Sequence, residues 1–175
     1  FLRDNGQKHI FLITMKADGT QVRVPIPAWD QKGGHHPNWC PDGEHVMMNL
    51  KVDEQTLRFV TARYDGKEFR VMNNNFVGSG HPSLHPEQKV IVTDTYLYES
   101  FSRGKTVPLR YLDLKKGRER EIVRIRTKPD FEGANKEMRV DPHPAWDRSY
   151  RYLIFNGCPE GKRKVFIADL KSLLT

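Results

Sequence analysis

The segments GHHPNWCPDG (34–43), GHPSLHPE (80–87) and DPHPAWD (141–147) repeat one pattern along the chain. In each of them a histidine precedes a proline, a small or polar residue follows, and a large apolar residue comes next. The first two of these histidines, His36 and His81, are about 45 residues apart, which is the length of a four-stranded blade in a β-propeller. The second interval, up to His143, is longer and contains the polar stretches 98–105 and 126–137, which predict loops inserted into a blade.

Short β-rich runs separated by turns lie between the histidines, and no long helical periodicity is present. The predicted strands are 46–50, 57–61, 69–71, 90–93, 109–114, 121–125, 152–155 and 165–170, with 9–14 and 21–24 as the outer half of a preceding blade. The predicted fold class is therefore all-β, a β-propeller of about three and a half blades. The predicted divisions are a partial blade (1–33) and the blades 34–78, 79–138 and 139–175.

A propeller typically needs 4–8 blades to close a ring, which is more than this chain supplies. We therefore expect the chain to be the C-terminal part of a single propeller domain in a longer protein. Its first partner would be the missing N-terminal blades of the same propeller.

The chain is basic, with a formal net charge of +7 and a pI near 9.5. This charge favours anionic partners. The basic residues are scattered, so no nucleic-acid partner is predicted. No apolar stretch is long enough to span a bilayer, so no membrane partner is predicted. The two cysteines leave the compartment open between cytoplasm and periplasm.

The repeated histidines are the main indication of function. Because the first strand of a blade lines the central channel, His36, His81 and His143 are predicted to face a common space. Asp141 lies two residues before His143, so on an extended strand both side chains would point to the same side. The set His81, Asp141 and His143 would suit a divalent transition metal with open coordination positions. The alternative is that the histidines cap strands and have a structural role.

Arg139 lies on the same alternate face as Asp141 and His143. Contact with an anionic ligand and a solvent-facing role both remain open for it. The residue types therefore predict a metal site with an adjacent cation, and they leave the substrate undetermined.

Two resemblances narrow these expectations. The segment HPNWCPDGEHV (36–46) resembles the TolB-type, WD40-like propeller repeat. Nearly the whole chain is similar to the C-terminal half of oligogalacturonate lyase, a seven-bladed propeller enzyme. The residues that carry this similarity are VDPHP (140–144), FNG (155–157) and VFIADL (165–170), at spacings like those of the family's closing His-Pro-His-Pro motif, Gly turn and Ile-Ala-Asp segment.

The second resemblance implies a manganese ion held by His81 and by the positions of the two motif histidines, here Asp141 and His143. The family has a glutamine ligand where this chain has Met138, which is unsuited to a hard metal. The family's catalytic arginine falls near Lys8 and His9.

The implied reaction is β-elimination from an acidic (uronate) oligosaccharide such as oligogalacturonate, as in pectin degradation. His9 or His36 would be the catalytic base, and Lys8 and Arg139 would bind substrate carboxylates. The rival interpretations are a non-catalytic TolB-like propeller that serves as a binding or interaction scaffold, and a different hydrolase or lyase acting on another anionic substrate.

Overall fold

The structure is a computed structural model that describes residues 2–4, 7–26, 33–53, 56–87 and 89–174, with 2–4 and 7–9 by their backbone alone. These residues form fifteen β-strands and one short 3-10 helix, Lys171–Leu173. The strands are β1 (Leu2–Asp4), β2 (Gln7–His9), β3 (Leu12–Thr14), β4 (Arg23–Ile26), β5 (Gly34–Trp39), β6 (His45–Lys51), β7 (Leu57–Arg63), β8 (Arg70–Val71), β9 (Ser83–Leu84), β10 (Val90–Thr93), β11 (Thr106–Asp113), β12 (Arg118–Arg126), β13 (Ala145–Trp146), β14 (Tyr152–Gly157) and β15 (Lys164–Asp169).

The strands pair with their sequence neighbours in small antiparallel sheets, as the strands of a propeller blade do. Two sheets have four strands, in the orders β5-β6-β7-β8 and β9-β10-β11-β12. The others are the three-stranded sheet β13-β14-β15 and the pairs β1-β2 and β3-β4. The predicted fold class, an all-β protein of the β-propeller type, is confirmed.

The chain divides into two compact units, Phe1–Gly78 and Ser79–Thr175. In the first unit, β6 and β7 supply most of the core. Met48, Val60 and Ala62 of these strands are completely buried and pack with Ile26 and Leu50. β6 is an almost continuous apolar run because both faces of this central strand are covered.

In the second unit one core joins two sheets. Val92, Val107 and Leu109 of the β9–β12 sheet are fully buried, and they pack with Leu153 and Phe155 of β14. At the edges of the same two sheets, the indole Nε1–H of Trp146 donates to the backbone carbonyl of Ser83 at 3.3 Å. The segments that precede β9 and β13 are therefore brought together, and these segments carry His81 and His143.

Two long loops interrupt the second unit, 94–105 before β11 and 127–144 before β13, where the sequence predicted insertions. The expectation of an extended strand through Asp141 and His143 is wrong. Strand β13 begins only at Ala145, and His143 has a left-handed φ of 47°. Pro142 and Pro144 explain the difference, because proline has no N–H to donate to a strand ladder. Within the described part of the chain, no helix has the length and apolar character needed to cross a membrane.

Candidate metal and substrate site

The structure brings His81, Asp141 and His143 together. One ligand atom from each of the three side chains lies within 4.8 Å of the other two. His81 lies two residues before the first residue of β9, and the other two residues lie in the loop that leads into β13. Two imidazoles and one carboxylate therefore converge from segments that are far apart in sequence.

Asp94 fixes the orientation of His81. Its carboxylate oxygens both lie 3.0 Å from Nδ1 of the His81 ring, and Oδ1 also accepts the backbone N–H of His81 at 2.6 Å. A carboxylate bonded to one ring nitrogen of a histidine fixes the tautomer and directs the other nitrogen outward, as in many metal sites. The structure thus gives His81 the second contact that histidine ligands usually have.

Asp94 also holds the segment that carries His143. Its Oδ2 accepts the backbone N–H of His143 at 2.9 Å. The Asp94 side chain is 1% exposed. Burial alone would raise the pKa of this carboxyl, but the hydrogen bonds and charge of His81 and the N–H of His143 outweigh it and lower the pKa below its ordinary value. The group is therefore a buried carboxylate that ties two loops together.

Gly80 allows Asp94 to approach so closely. A Cβ at this position would lie 2.1 Å from the backbone oxygen of Asp94 and 2.2 Å from its Oδ1, and the φ of Gly80 is 63°. A residue with a side chain would meet both a steric clash and a disfavoured backbone conformation. The glycine before His81 is therefore a requirement of the site's geometry.

The rings of His81 and His143 stack, with centroids 3.5 Å apart and an interplanar angle of 24°. Partial desolvation of the ring and the neighbouring His81 lower the pKa of His143, in spite of the nearby carboxylates of Asp94 and Asp141. Imidazole binds metals in its neutral form, so a lowered pKa favours the state that can act as a ligand.

The residues present fit a divalent transition metal. Two ligands at about 2.1 Å from one ion are at most about 4.2 Å apart. The ligand atoms of the cluster, which lie within 4.8 Å of one another, are close to that spacing. Two histidines and one carboxylate with further positions open are a donor set used by such ions. Met138, which offers a soft thioether, is 51% exposed. The ligand set that fits is therefore His81, Asp141 and His143.

Arg139 contacts the cluster directly. Its Nη2 donates to Oδ2 of Asp141 at 2.6 Å, and its side chain is 58% exposed. The guanidinium of Arg163 donates to the backbone carbonyl of Arg139 at 2.8 Å, which ties this part of the loop to the residue directly before β15. Arg139 therefore lies beside the cluster, and its charge balances that of Asp141.

A cleft of about 670 Å³ opens beside Asp141 and His143. Cationic side chains outnumber anionic ones on its walls, which consist of Lys136, Glu137, Arg139, Asp141, His143, Asn156 and Arg163. Such a surface favours a ligand that carries carboxylates. The sequence did not predict Lys136, Arg163 or Asp94 as site residues. The one signal for Asp94 was an acidic residue directly after the buried run of β10.

The other residues predicted for the site have different positions. His36 lies in β5, in the first unit, where the pairing with β6 is irregular, and its ring meets that of His35 edge-on at 4.7 Å. Its φ of 55° matches the left-handed conformation of His143. The side chains of Lys8 and His9 lie outside the described part of the chain.

A second cavity, of about 680 Å³, lies elsewhere in the second unit, beside His85, Tyr111 and Tyr150. Several of its charged residues pair with one another, for example Lys89 with Glu87 at 2.7 Å and Lys116 with Asp113 at 3.6 Å. Its walls contain none of the three residues of the cluster. The two cavities are similar in volume, but only the cleft beside His143 contains residues of the cluster. That cleft is therefore the better candidate for the functional site.

Comparison with known proteins supports the fold. No protein-family model matches the sequence, and no curated protein matches it either. Among solved structures, the oligogalacturonate lyase of Vibrio parahaemolyticus is similar with a TM-score of 0.68 and 18% identity over 92% of this chain. An oligogalacturonate lyase in complex with manganese is similar with a TM-score of 0.65 and 20% identity over 93% of this chain. TolB from Acinetobacter baumannii is similar with a TM-score of 0.64 and 15% identity over 92% of this chain.

The chain spans 42% of the length of each of the two lyase structures and 35% of the length of TolB. At these identities the likeness establishes the propeller fold.

Proposed function

We propose that this chain is part of a metal-dependent lyase that cleaves acidic (uronate) oligosaccharides, such as oligogalacturonate, by β-elimination. The observation that carries the proposal is the convergence of His81, Asp141 and His143 beside a cleft rich in cationic side chains. The likeness to two oligogalacturonate lyases, one of them bound to manganese, supports both the reaction and the ion. In this proposal the chain is the C-terminal part of a single propeller domain, and the missing N-terminal blades complete it.

The proposed ligands of the ion are His81, Asp141 and His143. The chemistry that a bound divalent ion supplies at such a site is neutralisation of the uronate carboxylate, which acidifies the proton on the adjacent carbon. The hydrogen bond of Asp94 to Nδ1 of His81 keeps that ring oriented towards the shared point of the cluster.

The cationic residues of the cleft would bind and orient the substrate. Arg139 and Arg163 present guanidinium groups, which bind carboxylates with two parallel hydrogen bonds, and Lys136 adds a further positive charge. Holding the sugar in this way places its acidic proton in one position relative to the base.

The proposed base is His9 or His36, as the sequence and its resemblance suggest; Lys8 is proposed as a further carboxylate-binding residue. The base takes the proton from the carbon next to the carboxylate, and the released electron pair forms a carbon–carbon double bond. The bond to the glycosidic oxygen breaks, and this oxygen leaves with a proton. The products are a shortened oligosaccharide and an unsaturated uronate.

The test uses the ultraviolet absorbance of the unsaturated product, which hydrolysis does not produce. The complete protein with manganese should raise this absorbance when it is incubated with a panel of uronate oligomers, and His81→Ala should abolish the signal. His85→Ala is the matched control, because it removes a histidine of the same motif whose ring packs on Trp146 at 5.2 Å, outside the cluster. This control should retain the activity.

The likeness to TolB supports a second candidate function, a non-catalytic propeller that serves as a binding or interaction scaffold. That function predicts a flat absorbance trace across the panel and no manganese in the complete protein by elemental analysis. Tight binding of a protein partner under the same conditions would favour it over the lyase.

A further inference from the structure

Tyr98 exposes 80% of its surface, although one face of its ring packs on another aromatic side chain. The rings of Tyr98 and Tyr96 are parallel within 6°, and their centroids are 5.1 Å apart. Tyr96 is 9% exposed, and its ring meets the ring of His81 edge-on at 5.7 Å. A continuous series of ring contacts thus leads from the candidate metal cluster to an exposed aromatic face.

The loop that carries Tyr98 is held by its own hydrogen bonds. The carboxylate of Glu99 accepts the backbone N–H of Tyr96 at 3.1 Å and the hydroxyl of Ser79, the residue two positions before His81. The backbone N–H groups of Glu99 and Ser102 close two successive turns, onto the carbonyls of Tyr96 and Glu99. The outer face of the Tyr98 ring is therefore presented by an ordered segment, and ligand binding would cost little conformational entropy there.

Single exposed apolar residues are common and need no explanation. Tyr98 differs because it is fixed against Tyr96 next to the cluster and because a cation lies close by. The guanidinium carbon of Arg139 lies 6.0 Å from the centroid of the Tyr96 ring. An exposed aromatic face and a guanidinium that both neighbour the Tyr96 ring match the two surfaces of a uronate, the C–H groups of its ring and its carboxylate.

We propose that the outer face of Tyr98 is a stacking platform for a sugar ring of the acidic oligosaccharide, in a subsite next to the residue held at His81, Asp141 and His143. The assignment of the ligand as a uronate oligomer rests on the proposed function. The stacking itself rests on the geometry of Tyr98, Tyr96 and Arg139. The C–H groups of a pyranose ring carry partial positive charge, and the π face of a tyrosine is negative.

The test is the affinity of the complete protein for trigalacturonate, measured by calorimetry without manganese and with a chelator, so that no elimination consumes the ligand. Tyr98→Ala should weaken binding roughly 5- to 20-fold through the loss of stacking and buried area. Tyr98→Phe is the matched control, since it keeps the ring, and it should bind within about twofold of the wild type. Because Tyr98 is mostly exposed, both variants should fold, and Tyr98→Ala should lower Tm by only a few degrees through the lost contact with Tyr96. With manganese present, Tyr98→Ala should raise KM and leave kcat unchanged.

The outcomes separate this proposal from the proposed function. Equal affinities of the wild type and Tyr98→Ala would overturn the platform and leave the lyase reaction untouched. Weaker binding by Tyr98→Ala in a protein that never raises the ultraviolet absorbance would support the platform and reject the lyase reaction. A wild-type protein that binds no uronate oligomer, either without manganese or with it, would overturn the platform together with the substrate class.

Discussion

Asp94→Asn tests whether one buried carboxylate organises the candidate metal site. Its two oxygens accept three N–H groups, the backbone and ring N–H of His81 and the backbone N–H of His143. The asparagine side chain has the same shape, but one oxygen becomes an NH₂ group. Whichever oxygen is replaced, at least one buried N–H then faces another donor.

The magnitude follows from these contacts. A charge-assisted hydrogen bond contributes about 1.5–3 kcal/mol, and an unsatisfied buried donor costs about 1–3 kcal/mol. We therefore expect Asp94→Asn to lower the free energy of unfolding by about 2–4 kcal/mol, which leaves a domain of ordinary stability folded. Because His81 loses its orienting partner, the affinity for manganese should fall about 10- to 100-fold.

Urea unfolding of the complete, metal-free protein measures the first quantity, and calorimetric titration of the folded protein with manganese measures the second. Asp147→Asn is the matched control. The Asp147 carboxylate also accepts several hydrogen bonds, from Ser149, Arg151 and Tyr152, but it holds a turn outside the cluster. This control should lose less stability, because water can replace its partners, and should keep its manganese affinity. A folded Asp94→Asn protein with wild-type affinity would refute the reasoning, as would an equal loss of affinity in the control.

Two further predictions concern the backbone of the site and the response to acid. Gly80→Ala should lower the free energy of unfolding by about 3 kcal/mol or more, because strain at positive φ adds to the clash with Asp94. Gly104 has a φ of 60° and open space around it, so Gly104→Ala should lower the free energy of unfolding by only about 1–2 kcal/mol. Similar losses for the two variants in urea unfolding would contradict the steric argument. The hydrogen bond from Arg151 lowers the pKa of Asp169 to about 2 in the folded protein, below its ordinary value of 3.8. The stabilising contribution of the ionised Asp169 is therefore present above about pH 4 and is lost as the pH falls towards 2. Asp169→Asn removes this contribution, so the fall of Tm across this pH window should be less steep in the variant. An unaltered pH dependence of Tm would exclude the Arg151–Asp169 ion pair as a source of acid sensitivity.

The fold could be predicted from the sequence because its signals are local. Apolar runs such as 90–93 and 152–155 are bounded by turn residues, and both are strands in the structure. His36 lies in the first strand of its sheet, and His81 and His143 each lie two residues before the first strand of theirs. These features depend on short spacings, which the printed sequence shows directly.

The interior of the site was beyond sequence reasoning because its contacts join distant segments. Asp94 is 13 residues from His81 and 49 from His143, and an acidic residue after a strand is more often part of a solvated turn. The predicted alternation from Asp141 to His143 failed because the prolines on either side of His143 prevent strand pairing. The three side chains still meet, since the left-handed turn at His143 and the carboxylate of Asp94 determine where that loop lies.

The pairing of Arg139 with Asp141 shows how the site can carry an aspartate where the resemblance predicts a histidine. A carboxylate strengthens cation binding but weakens the positive field left for a substrate carboxylate. Nη2 of Arg139 lies 2.6 Å from Oδ2 of Asp141, so the guanidinium compensates the added negative charge. Lys136 and Arg163 contribute further positive charge in the same cleft. The contact of Arg139 with Asp141 involves one of the five N–H donors of its guanidinium, and more than half of the side chain is exposed to solvent. Of the two roles the sequence left open for Arg139, contact with an anionic ligand stays a proposal, and the ion pair supports it only by placing a guanidinium beside Asp141, where the proposed chemistry needs a positive charge.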